Sequence, residues 1–276
     1  MKPFLNLLRL IESSIYGEGD EPRSKTILET NMPVISFANP KGGTGKSTSA
    51  LILALEMAYR RGKVALIDCD PNQVTAGWAQ ARKQAGQELP FEAIANPGED
   101  KIIDVLDELS AVYPFVIVDL EGTASLMMSR TMSRSDLTII PMQASPVDAK
   151  QAARAVGLVR AEEKMLRRSI PMRILMTRNN PAIKTRDEKA IVEQLEAARV
   201  PMLEVPLHER AAYRAVFTYN KTLRELTAKE SAGLPNAIEN AEGYAFYVVK
   251  ALKEEIDSAK GLETKAVSPP KASTAA

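Results

Sequence analysis

Two groups of residues in this chain have the types and spacing for work on phosphate. The first is Asn39-Pro40-Lys41-Gly42-Gly43-Thr44-Gly45-Lys46-Ser47-Thr48, which follows the apolar run Val34-Ile35-Ser36-Phe37 and leads into Ala50-Leu51-Ile52-Leu53-Ala54-Leu55. Strand, glycine turn and helix in that order are what a phosphate-binding loop requires. Glycines let successive backbone N–H groups turn inward as an anion nest, and the helix N-terminus adds partial positive charge. Gly42, Gly43, Thr44, Gly45, Lys46, Ser47 and Thr48 are therefore candidate nucleotide contacts. Lys46 would reach the β- and γ-phosphates, and the Ser47 hydroxyl would ligate Mg²⁺. The second group is acidic: Asp68 and Asp70 close the apolar run that begins at Val64, and Asp119 closes the run that begins at Phe115. Any one of these acids alone is an ordinary strand-end turn residue. Together with the glycine loop they fall where an open α/β sheet gathers its ligand.

One feature of the loop departs from the usual G-x-x-x-x-G-K-[ST] pattern: its first glycine is Pro40, and Lys41 adds a second lysine. The run Lys41-Gly42-Gly43-Thr44-Gly45-Lys46-Ser47 resembles the deviant Walker A box of the ParA/MinD superfamily of ATPases. Asp68-Cys69-Asp70-Pro71-Asn72 is similar to that family's second acidic motif, with asparagine in place of the usual glutamine. The resemblance implies ATP and Mg²⁺ as cofactors, slow partner-stimulated hydrolysis to ADP and phosphate, and a homodimer with ATP sandwiched at its interface. It implies that Lys41 crosses to the partner's nucleotide and that Asp70 positions the attacking water, which makes Lys41, Lys46 and Asp70 the catalytic set. Ser47, Asp68 and Asp119 become the metal set, with Asp68 supporting the shell and Asp119 acting through water. Asn179 lies where relatives place adenine-recognising residues, and the loop Pro206-Leu207-His208-Glu209 borders the same region. His208, the sole histidine, has no catalytic or metal partner in the sequence and reads as structural or interfacial. The segment Leu120-Glu121-Gly122-Thr123-Ala124-Ser125 replaces the Pro-Pro turn usual in partition ATPases. It reads as a switch-like turn, with Glu121 either facing solvent or sharing the work of Asp70.

The elements that must position these groups alternate along the chain. Apolar strand-like runs at Val64–Asp70, Phe91–Ala95, Phe115–Leu120, Leu137–Met142, Met172–Thr177 and Met202–Val205 follow the first one at Val34. Helical patterns lie between them, at about Ser47–Arg61, Val74–Gln84, Asp100–Ser110, Pro146–Arg168 and Thr185–Ala198, with a last one at Ala241–Ser258. Fully apolar runs separated by helices predict a mostly parallel twisted sheet of about seven strands with helices on both faces, the P-loop NTPase architecture. One ATPase domain over residues 33–258 is expected, preceded by an extension over 1–32 and followed by a disordered tail over 259–276. In the extension Phe4, Leu8, Ile11 and Ile15 keep helical spacing, which suits a short docked helix or else a membrane-surface or partner-binding one.

Composition narrows the partners. Net charge is +1, so contact with nucleic acid must come from a local patch. A single cysteine, Cys69, in an apolar run excludes intramolecular disulfides and a cysteine-ligated cluster, and it reads as a buried small hydrophobe. No apolar run approaches a membrane span, which predicts a cytoplasmic protein without stable membrane insertion. The segment Val205–Ala215 is similar to the one with which the ParA branch touches DNA, which nominates Arg210. Arg214, Lys221, Arg224, Lys184 and Arg186 are near enough in sequence to join a patch, although a solvated helix face explains each one equally well. The run Pro206-Leu207-His208-Glu209-Arg210 also resembles VirC-type relatives of plasmid-transfer systems. The expected protein is thus a nucleoid-associated partition ATPase that binds DNA non-specifically in its ATP state and answers to a ParB-like activator or cargo adaptor. Competing readings on the same engine are a positioning switch for a protein assembly such as a chemoreceptor cluster, a MinD-like membrane-associated ATPase and an ATP-dependent small-molecule ligase.

Overall fold

The structure, a computed structural model, describes residues 32–60, 62–181, 183 and 185–266. The expected N-terminal helix, the last ten residues and Lys184 lie outside the described residues. Six strands form one sheet: β1 (Val34–Phe37), β2 (Val64–Asp68), β3 (Glu92–Ala95), β4 (Phe115–Asp119), β5 (Leu137–Met142) and β6 (Met172–Met176). Their order is β3-β2-β4-β1-β5-β6, and every pairing is parallel. β1, β2, β4 and β5 are buried at every position, as strands covered on both faces must be.

The helices are α1 (Lys46–Tyr59), α2 (Val74–Gln84), α3 (Ile102–Ser110), α4 (Leu126–Met132), α5 (Pro146–Leu166), α6 (Arg186–Ala197), α7 (Ala211–Tyr219) and α8 (Leu234–Ala266). Alternation along each strand splits the core in two. Ile35, Phe37, Leu66 and Ile117 face α1, Trp78 of α2, α7 and α8, while Val34, Ile67, Val116 and Val118 face α3, α4, α5 and Ile191 of α6. Trp78 stacks on Phe91 and donates its indole N–H to the carbonyl of Val216 at 3.0 Å, which ties α2 to α7. Cys69 is buried, and burial pushes its thiol further toward the neutral form.

The expected seventh strand is not formed. Residues 201–207 run parallel beside β6 with bridges only at Ile174–Met202 and Thr177–Leu207. Four residues, from Ile174 to Thr177, face six here, from Met202 to Leu207, so the segment bulges between Leu203 and Leu207, and Pro201 and Pro206 have no N–H to give to a ladder. Two helices appear where none was expected, α4 and α7. The last helix starts earlier and runs through Ala266, past the boundary expected at Ser258.

Candidate functional site

Register brings the acids to the loop. Phe37, the last residue of β1, pairs with Asp119 on β4, and Asp119 pairs with Asp68 on β2. The glycine turn after β1 therefore rises beside two strand-end carboxylates. Gly43 and Gly45 take φ of 78° and 98°, the left-handed region that side chains avoid, and Gly45 hands the chain directly to α1. The loop is anchored from outside as well. Thr177 donates its hydroxyl to the carbonyl of Thr44 at 2.7 Å and to that of Met142 at 3.1 Å, and the Gln143 amide donates to the carbonyl of Gly43 at 3.0 Å. Gly122 is pressed against the same loop: a Cβ there would stand 2.9 Å from the amide nitrogen of Gly42. Only glycine lets the turn after Asp119 lie on the Lys41–Gly42 backbone.

The two lysines are placed differently. Lys46 is 5% exposed, and its ammonium donates to the carbonyl of Lys41 at 3.2 Å. Burial lowers its pKa, opposed by the nearby carboxylates of Asp119, Asp70 and Glu121. Lys41 points the other way and donates to Asp148 at 2.9 Å. Asp148 lies in the first turn of α5, where it also accepts the hydroxyl of the capping residue Ser145. Sequence reasoning did not single out Asp148. The run Ser145-Pro146-Val147-Asp148 carries the signal, since a serine cap followed by an acid in the first turn is a recognised pattern for a helix start.

Asp119 and Asp68 have identical side chains and opposite situations. Asp119 is 0% exposed, and neither carboxylate oxygen has a hydrogen-bond partner within 3.5 Å among the described residues. Burial pushes its pKa up to about 7, against the pull of the nearby Ser47 hydroxyl and the Lys46 ammonium. Asp68 accepts from the backbone and hydroxyl of Thr75 and the backbone of Ala76 at 2.8 to 2.9 Å, and from the backbone of Asp70 at 3.1 Å. These bonds hold the first turn of α2, where the helix has no other side-chain cap, so the carboxylate expected to support the metal shell also anchors a helix. Asp70 accepts from the backbone and side-chain nitrogens of Asn72 at 2.8 and 2.9 Å, which forms an Asx turn at the site's edge. A buried, unpartnered carboxylate beside a loop hydroxyl fits a divalent cation shared with phosphate oxygens, so Ser47 and Asp119 are the residues that would hold Mg²⁺.

Next to the loop a cavity is lined by Gly45, Thr48, Thr177, His208, Arg210 and Tyr213. His208 thus borders the site, and its Nδ1 is buried without a partner, as is the Nε of Arg210. Asn179 stands beside this region, donating to Glu188 at 2.7 Å and leaving its buried Oδ1 unpartnered. Arg210, half-buried, thus lines the cavity beside the loop. The other cations expected to meet DNA are dispersed. Arg224 is clamped on Glu56 and Glu242 at 2.6 to 3.0 Å and stacks over Tyr59, so this candidate phosphate contact is engaged inside the protein. Lys221 pairs with Glu230 at 2.6 Å, Arg214 pairs with Glu209, and Arg186 is exposed at the start of α6.

Comparison with known proteins agrees with this geometry. The family model described as VirC1 protein matches residues 32–251. The chain is 37% identical to Protein ParA of Rhizobium radiobacter over 227 residues, which is 82% of this chain and all of that protein. It is 28% identical over 191 residues to the Maintenance of carboxysome distribution protein A of Gloeobacter kilaueensis, covering 65% of this chain and 80% of that one. Its fold matches the solved complex of Cyanothece McdA(D38A) with ATP at a TM-score of 0.62 and 17% identity, covering 79% of this chain and 96% of that chain.

Proposed function

The chain belongs to the VirC1 protein family, and on that premise we propose that it is an ATP-hydrolysing switch that dimerises around its nucleotide and positions DNA cargo. The observation that carries this reading is Asp119, a fully buried carboxylate with two unpartnered oxygens at the foot of the glycine loop. An uncompensated ionised carboxylate is costly to bury, so such a group is kept for a ligand that completes it. Bound Mg²⁺ would supply the charge that offsets this carboxylate and the phosphates together. On this reading Ser47 and Asp119 hold the cation, the loop amides cradle phosphate, and Lys46 supplies a desolvated positive charge. Asp70, on the outer rim, orients the attacking water. The cavity beside Gly45 and Thr48 takes the remainder of the nucleotide, bordered by His208 and Arg210, with Asn179 close by.

Dimerisation is supported by the rim of the site. Val74, Leu126, Val147 and Ile183 are 43 to 64% exposed, and each lies at or just before the first turn of a helix that starts on the loop's side of the sheet. Lys41 belongs to this reading too: held by Asp148 in one chain, it must leave that partner to reach a second nucleotide. We read residues 33–258 as a single ATPase domain and the cargo as DNA engaged with a ParB-like activator or adaptor. No helix among the described residues is long and apolar enough to cross a membrane.

The test is light scattering and phosphate release on wild type, Lys46→Ala and Lys41→Ala with ATP or ADP. Lys46→Ala should lose nucleotide binding, while Lys41→Ala should bind ATP yet neither dimerise nor hydrolyse it. Unchanged dimerisation and turnover in Lys41→Ala would sink the dimer reading. Equal duplex binding with ATP, ADP and no nucleotide would sink the DNA switch.

A further inference from the structure

The longest helix packed on the second core, α5, carries a row of cations that none of the chemistry above uses. Its buried face is Ala152, Ala155, Val156 and Val159. On the opposite face the exposed positions include Lys150, Ala153, Arg154, Gly157, Arg160, Ala161 and Lys164, with Arg167 just past the helix end. No carboxylate lies among the exposed positions from Lys150 to Ser169; Asp148 is buried, and Glu162 and Glu163 are half-buried. Glu163 is already used by the backbone of Ile170 at 2.9 Å.

Among the described residues none of these five cations has an ion-pair partner; Arg154 touches only the Gln151 amide oxygen, at 3.3 Å. That is the reverse of the 209–224 region, where Arg214, Lys221 and Arg224 are each neutralised by a glutamate. A favourable helix dipole accounts for Lys164 and Arg167 near the C-terminus, but it gives nothing to Lys150 and Arg154 in the N-terminal half. Lys150 with Arg154 and Arg160 with Lys164 are i, i+4 pairs, and at about 100° per residue the four cations within the helix fall inside an arc of about 120°. At about 1.5 Å per residue, Lys150 to Lys164 spans about 21 Å. Ala153, Gly157 and Ala161 between them leave the helix backbone open to close approach.

We propose that this exposed face of α5 is the surface that holds duplex DNA by its phosphates, with Lys150, Arg154, Arg160, Lys164 and Arg167 as the contacts. The inference rests on the DNA reading above and moves its interface from the 205–224 segment to α5. A polyanion of regular charge spacing matches a line of unpartnered cations, and contacts of this kind carry no sequence preference. A lipid surface suits the face less well. A helix lying on a membrane buries a continuous apolar face there, whereas Ala152, Ala155, Val156 and Val159 of α5 pack on the sheet and its exposed large apolar residues are only Val147 at the first turn and Met165 and Leu166 at the last.

The test is fluorescence anisotropy of a labelled duplex of arbitrary sequence with ATP across a salt series, on wild type and on the triple variant Arg160→Gln/Lys164→Gln/Arg167→Gln. Losing three phosphate contacts should weaken binding on the order of 100-fold at about 0.1 M salt and flatten the log–log salt slope by about 2.7. Melting temperature and DNA-free ATP hydrolysis should stay at wild-type values, which separates lost contacts from lost folding. The variant Arg214→Gln/Lys221→Gln should bind duplex as wild type does. If the triple variant keeps wild-type affinity and slope while wild type binds only with ATP, the location on α5 is overturned and the DNA switch stands. If wild type binds no duplex in any nucleotide state, both fall. If the triple variant instead loses binding to phosphatidylglycerol vesicles and keeps duplex binding, the face belongs to lipid and the proposal is wrong.

Discussion

Two regions of this molecule bury polar groups and treat them in opposite ways. Where α1, α2, α7 and α8 meet, charges are matched inside the chain. Arg82 lies over the Trp78 ring, grips Glu225 at 2.7 and 3.0 Å and donates to the carbonyls of Glu88 and Asn220. Its guanidinium pulls the Glu225 pKa down to about 2. Arg224 grips Glu56, a carboxylate with 0% exposure whose pKa burial raises against the pull of that guanidinium. Around the glycine loop the groups stay open: Asp119, the Oδ1 of Asn39, the Nδ1 of His208 and the Nε of Arg210 are buried without partners. Satisfied polar groups fix a fold, and unsatisfied ones in a native structure point to a ligand. The difference separates the part of the chain that holds the shape from the part that waits for a substrate.

The comparison breaks most visibly at Lys46. Lys46→Ala should lower ATP turnover on the order of 10³-fold, read by phosphate release, and should not lower the melting temperature, because it removes a desolvated charge that has no carboxylate bond. Arg224→Ala should do the converse. It strands buried Glu56 and should cost about 3 kcal/mol in urea unfolding, with turnover per folded molecule unchanged. A finer contrast comes from the two aspartates of β2 and β4. Asp68→Asn should cost about 1 to 2 kcal/mol of stability by weakening the start of α2. Asp119→Asn should leave stability intact or raised and lose the Mg²⁺ dependence of nucleotide binding, measured by titration calorimetry with and without chelator. An equal loss of metal dependence in both variants would erase the distinction.

The smallest expected effect is on pH. Asp136 is held at the mouth of β1, where it accepts the Val34 N–H at 2.8 Å, and burial raises its pKa to about 6. A carboxyl that binds its proton more tightly folded than unfolded favours the folded state at low pH. That contribution fades as pH rises from about 4, the unfolded value, to about 6. Asp136→Asn keeps the acceptor and removes the titration, so its unfolding free energy should vary less with pH across that window than the wild type's.

Much of the fold was legible because buried parallel strands leave continuous apolar runs: β1, β2, β4, β5 and β6 lie within a residue or two of the stretches that announce them. The glycine loop was legible because φ of 78° and 98° at Gly43 and Gly45 leaves few other residue types. Other features depend on surroundings that no local pattern carries. Asp68 and Asp119 both end apolar runs before a turn, and only the nearby N–H groups of Thr75 and Ala76 separate a helix anchor from an open ligand. Arg224 and Arg160 look alike as letters, yet one faces Glu56 from 168 residues away in sequence and the other faces solvent. α4 escaped because Leu126-Met127-Met128-Ser129 has weak periodicity, and its clearest sign is the Ser125 side chain that accepts from Met128.

The bulged segment beside β6 has a consequence for how copies of this chain behave in a crowd. β6 is the last strand on its side of the sheet, and an open last strand offers a row of unpaired N–H and C=O groups to any extended chain. Residues 201–207 occupy that row with four hydrogen bonds of 2.9 Å, from Ile174 to Pro201, Leu203 to Ile174, Leu207 to Met176 and Arg178 to Leu207. Because Pro201 and Pro206 cannot donate and the backbone between them bows away, the segment uses up the edge without offering a new one. On this side of the sheet the indiscriminate strand-to-strand route by which copies of a chain stick is thereby closed, while β3 ends the sheet on the other side.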